Sequence, residues 1–179
     1  MVTRYRVLLG ELLPVFGTVG LLGLWLFQQT GIEHRAGELR QIATARAVFQ
    51  TYQSTNAIFN AIGEAAQRPA LQDSIRVSQI YNYELGLRAI EDVLPAARRG
   101  GIPPAGSAFD GIPTGVKMER TQKRLELLQG RLSEYEQSLR AAAEADAKLY
   151  LVLYLAISAA SIAGAVLKAA DKLVLKTGP

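Results

Sequence analysis

One carboxylate stands where charge is costly. Glu11 is the single ionisable residue between Val7 and Phe27, a run dominated by Leu, Val, Gly, Phe and Trp. An acid inside an apolar helix generally faces a protein interior, an ion path or a basic partner. Pro14, about one turn later, removes a donor and frees a backbone carbonyl, which favours such a role. The other reading places Glu11 within about a turn of a membrane interface, near Arg4 and Arg6, where water solvates it.

The remaining chemistry-bearing residues point away from catalysis. His34 is the single histidine, with Glu33 and Glu38 near it; one imidazole without a second His or any Cys is a poor metal site, so a solvated side chain is expected. There is no glycine-rich phosphate cradle after a strand, no Ser/His/Asp set, and no pair of carboxylates beyond what any charged helix offers. The chain has no cysteine, which removes disulfides, thiolate nucleophiles and thiolate metal sites together. No catalytic, cofactor-binding or metal residue is expected, and the chain is expected not to be an enzyme. Its net charge of +4 is spread among acidic neighbours, so nucleic acid has no clustered footprint.

The elements that position these residues follow from where apolar side chains collect. The 179 residues are apolar mainly at the two ends, in 7–27 and in 149–167. A bilayer core about 30 Å thick takes about 20 helical residues at 1.5 Å each, so both runs read as transmembrane helices. The first resembles a secretory signal in position and in its preceding Arg4 and Arg6, but it is longer than a signal core and its exit lacks a small-x-small cleavage pattern. An uncleaved anchor is expected. Gly17, Gly20 and Gly23 line the first span, and Ala156, Ala160 and Gly164 line the second at four-residue steps; small residues let membrane helices approach closely, within the chain or between subunits.

Short basic tails stay on the cytoplasmic side, which sets the orientation. Arg4 and Arg6 in the tail 1–6, and Lys168, Lys172 and Lys176 in the tail 168–179, place both termini in the cytoplasm and suit anionic lipid headgroups. Trp25, Tyr150 and Tyr154 then share one membrane face, with Tyr5 at the other.

Residues 28–148 read as an extracytoplasmic helical domain. From Glu33 to Gln67 apolar positions recur at threes and fours, a helix face that ends at Pro69, with Asn56 either fixing register as a buried polar residue or marking a gap. Val77, Ile80, Tyr83, Leu87, Ile90 and Leu94 mark a second helix, closed by Pro95 and Arg98-Arg99-Gly100-Gly101. Leu125, Leu128, Leu132, Tyr135 and Leu139 form a heptad seam that a partner helix must cover. No Pro or Gly interrupts the chain from Arg131 to Ile162, so this helix is expected to continue into the second span.

The Pro/Gly-rich stretch 99–116 is a loop. Three helices are one too few for an up-and-down bundle with both ends at the membrane, and about 15 extended residues cover about 50 Å, enough to climb the bundle in place of a missing helix; the alternative is a kink at Pro69 that sends the second helix onward or sideways. Arg98 and Arg99 would meet headgroups if the second helix returns to the membrane. The predicted fold class is therefore an all-α membrane protein, two transmembrane helices flanking an extracytoplasmic antiparallel bundle of about three long helices plus this loop.

Span, long outer helices, span: in outline this resembles the periplasmic four-helix sensor modules of bacterial chemoreceptors and sensor kinases. The resemblance implies an all-helical outer domain that hands a signal through the membrane. The tail after Lys168 carries no signalling domain, so a self-contained receptor is not expected. The leading expectation is a non-enzymatic accessory or scaffold subunit of an inner-membrane complex, binding other subunits or copies of itself through the Leu125–Leu139 seam and the small-residue spans. The alternatives are a homo-oligomeric pore with Glu11 at its inner mouth, and an extracytoplasmic sensor module acting through a separate partner.

Overall fold

The structure, a computed structural model, describes residues 2–65, 68–106 and 111–177, with side chains from residue 11 through 170 in those stretches and again at 172–173. Among the described residues it is helical and carries no strand. Helix α1 (Val2–Phe27) passes through a π-helical turn at Gln28–Ile32 into α2 (Glu33–Ala65), followed by α3 (Pro69–Val93), a 3-10 turn at Ala96–Arg98, and α4 (Thr114–Thr177). Local chemistry explains the ends of α3. Pro69 opens it where a missing N–H costs nothing, after an extended Arg68. Leu94 is extended at its other end, as a residue before proline prefers.

The helix continuing out of the first apolar run and α4 are each long and apolar enough to cross a membrane, and only 11% and 6% of their most apolar windows are buried. A soluble core helix would hide those side chains, whereas here Phe16, Val19, Trp25, Val152, Leu155 and Ile162 face outward. The chain divides into two units, residues 1–36 with 141–179, and residues 37–140.

In the first unit the two apolar segments meet through small residues. A Cβ built on Gly20 would lie 2.9 Å from Ile157, one on Gly164 would lie 2.7 Å from the Leu13 Cβ, and one on Gly17 would strike Ser161. The register differs from the Ala156-Ala160-Gly164 face expected from spacing. Ile157, Ser161 and Gly164 make the close approach, with Ala160 half-buried beside them and Ala156 exposed. Gly23 has open space beside it. Just beyond the apolar runs, Tyr150 and Gln28 approach at 3.4 Å, and Arg35 pairs with Asp146 at 3.2 Å.

In the second unit α3 runs back along α2: Gly86 sits against Phe49, Asn56 pairs with Gln79, and Gly63 lies beside Ile75. Gly86 is needed for this approach, since a Cβ there would stand 2.8 Å from the Phe49 ring. The seam of α4 is covered from within the chain. Leu128, Leu132, Tyr135 and Leu139 are buried in one core with Ile42, Phe49, Leu87, Ile90 and Leu94, while Leu125 packs at its margin. In the described part of the loop, Arg98 reaches Ser138, Ile102 packs against the core, and Pro103–Gly106 lie beside Ile80 and the start of α4. Gly101 adopts a positive φ of 77° on the way, a conformation open chiefly to glycine.

Candidate functional site: a cationic cavity at the start of α4

The core of the second unit changes character along its length. Following the α4 seam back from Leu128 by steps of four, three and four reaches Arg124, Thr121 and Lys117, all buried. On α3, Glu84 falls in step between Ile80 and Leu87 and is likewise buried. These positions face the same interior as the leucines, so polar residues there are held by partners.

Arg124, 1% exposed, donates through Nη1 to the Glu84 carboxylate and through Nη2 to Glu91. The Thr121 hydroxyl donates to the other Glu84 oxygen at 2.9 Å. Burying a guanidinium costs several kcal/mol unless charge and hydrogen bonds offset it, and two carboxylates supply both. Arg124 Nε remains a buried donor without a hydrogen-bond partner, a deficit of about 1–3 kcal/mol.

A cavity of about 420 Å³ opens beside this network. One wall is cationic, with Lys117, Arg120, Lys123 and Arg124; another is the apolar set Ile80, Pro103, Pro104 and Ala105; Glu84 and Thr121 complete the lining together with Gly106. Among the described residues the lining carries four cations and one carboxylate, and Lys117 and Arg124 are both engaged in contacts of their own. The arrangement can hold a small negatively charged molecule, and its size is that of small-ligand sites, about 300–1,000 Å³.

A second polar cluster ties α2 to α3. The Asn56 amide donates to the Gln79 carbonyl at 3.1 Å, Asn82 donates to Asn56 at 3.3 Å, and Gln79 donates to Asn60 at 2.6 Å. Asn56 is 2% exposed, so it is the buried register-fixing residue of the two readings open for it. Near the other end of this core, the Tyr135 hydroxyl donates to Glu38 at 3.0 Å, and the Arg98 guanidinium lies 5.2 Å over the Tyr135 ring. Burial first, then the hydrogen bond to Glu38 and its charge, raise the Tyr135 pKa, with Arg98 opposing.

The sequence-derived candidates fall elsewhere. Glu11 is exposed and Pro14 half-buried in the first unit, and Thr18 donates to the Pro14 carbonyl at 3.0 Å. Lys168, Lys172 and His34 are exposed, whereas the side chains of Arg4, Arg6 and Lys176 lie outside the described residues. Arg98 and Arg99 are engaged within the second unit, Arg99 folding back on the Leu94 and Asp92 carbonyls at 2.8 and 3.2 Å. Among the described residues no group of His, Cys, Asp or Glu could hold a metal ion. No family model, no curated protein and no solved structure matches the chain.

Proposed function

We propose that the chain is a non-enzymatic, membrane-anchored sensing module. In this reading residues 7–27 and 149–167 cross the inner membrane, both termini are cytoplasmic, and residues 28–148 form an extracytoplasmic antiparallel bundle. That bundle binds a small solute and reports its occupancy to a separate partner. The observation that carries it is the cavity lined by Lys117, Arg120, Thr121, Lys123 and Arg124, of which Lys117, Thr121 and Arg124 take buried positions that the seam would otherwise fill with leucine. Arg124 and the second span belong to one uninterrupted helix, α4, which supports a route from solute to membrane. Native mass spectrometry of the full chain in mild detergent tests the reading. A small molecule should travel with the wild type and be lost in Ala105→Trp, which fills the cavity. No copurifying solute, and no thermal stabilisation by a panel of small acids, amines and sugars, would sink it.

A scaffold role keeps support from a different surface than the leucine seam, which is spent inside the chain. On α2, Thr44, Val48, Thr51, Thr55, Ile58 and Ile62 recur at steps of four and three, and Ile58 is 62% exposed. The three threonine hydroxyls bond to carbonyls of their own helix at 3.0 Å, and no charged residue lies between Arg46 and Glu64. An uncharged ridge is self-complementary, and apolar and β-branched residues at this spacing suit a helical contact between copies. In a chain with no native cysteine, Ile58→Cys should then form a disulfide between copies, and failure to do so counts against this role.

A further inference from the structure

Resting on the solute-binding reading above, we infer that the cavity selects a small organic acid: a carboxylate group on a short hydrocarbon body. The charge on its walls decides the first half. Lys117 and Arg124 are buried at 8% and 1% exposure, and Arg120 and Lys123 stand exposed on the same wall. Arg124 is held by Glu84 and Glu91, but Arg120 and Lys123 have no ion pair with any described residue. Two cations with no acid among the described residues, beside a concave, partly buried space, leave a positive field that an anion would neutralise.

The apolar part of the lining bears on the rest of the ligand. Ile80 is 3% exposed, and Pro103 and Pro104 bring no N–H to the cavity, because the pyrrolidine ring removes the donor. An inorganic oxyanion, which accepts hydrogen bonds on every side, would leave this wall unused. A hydrocarbon chain or ring lies against it favourably, in proportion to the apolar area taken from water. Glu84 and Thr121, also on the lining, add the capacity to bond a hydroxyl on the ligand.

Isothermal titration calorimetry on the full chain in detergent provides the test, with benzoate, succinate, inorganic phosphate and the uncharged benzamide as probes. At least one of the two carboxylates should bind more than tenfold tighter than phosphate, and benzamide should not bind. Arg120→Ala and Lys123→Ala should each weaken that carboxylate about tenfold without moving the melting temperature, since both side chains are exposed. Ala105→Trp should abolish binding with the wall charges intact. Phosphate binding as tightly as the carboxylates would overturn the inference in favour of an inorganic anion. Benzamide binding with both charge variants silent would overturn it while leaving a solute site in place. No heat from any probe would overturn it as well, and the mass-spectrometric experiment then decides whether the sensing reading survives.

Discussion

Arg124 shows how a single residue can organise a site while looking ordinary in the sequence. Among Lys123, Glu126 and Arg131 it reads as part of a solvated face, because hydropathy carries no signal for a charge at a core position. The signal that could have revealed it was spacing: Leu128 minus four is Arg124, and the same seam continues to Thr121 and Lys117. Its worth to the fold depends on its partners. Glu84→Ala should lower unfolding stability by about 3 kcal/mol, because a buried guanidinium loses its better-buried carboxylate. Glu91→Ala should cost less, as Glu91 is 28% exposed against 7% for Glu84; chemical denaturation of the full chain compares the two. Tyr135 adds a pH dependence. Its pKa is raised above the ordinary value of 10.0, so the folded chain holds the phenolic proton more tightly than the unfolded chain does. That contribution is complete below pH 10.0 and is lost as pH rises through the higher folded value. Tyr135→Phe should therefore flatten the alkaline fall in stability, measured by melting temperature against pH.

At the scale of elements, the long apolar runs and the proline-bounded α3 were legible, because each rests on a signal that packing does not override: length of uncharged sequence and a missing N–H. Register was less legible. Spacing alone named Ala156, Ala160 and Gly164, but any helix presents several faces of small residues, and the partner chooses among them. Gly17 and Gly20 meet Ser161 and Ile157, which moves the contact to the neighbouring row. The π turn at Gln28–Ile32 was not anticipated either, since one extra residue in a helical turn leaves no compositional mark. Gly164→Leu should destabilise the first unit by about 1–3 kcal/mol, the usual consequence of overpacking. Gly23→Leu, facing open space, should leave it unchanged; thermal aggregation in detergent separates the two variants.

For the whole molecule, one physical contrast organises the account. The first unit turns apolar side chains outward, and the second turns them inward while placing polar residues at one end of its core. Each is sensible in a different solvent, lipid for one and water for the other. In the proposed reading, two membrane spans bracket a water-exposed helical unit lying outside the cytoplasm. With no native cysteine in the chain, single cysteines report its placement cleanly. Glu134 on α4 and Lys172 beyond the second apolar segment are both exposed, so neither replacement disturbs packing. A membrane-impermeant maleimide applied to intact cells should label Glu134→Cys at once and Lys172→Cys only after the membrane is opened. Labelling of Lys172→Cys in intact cells while Glu134→Cys stays protected would reverse the orientation, and equal labelling of both before opening would contradict the two crossings themselves.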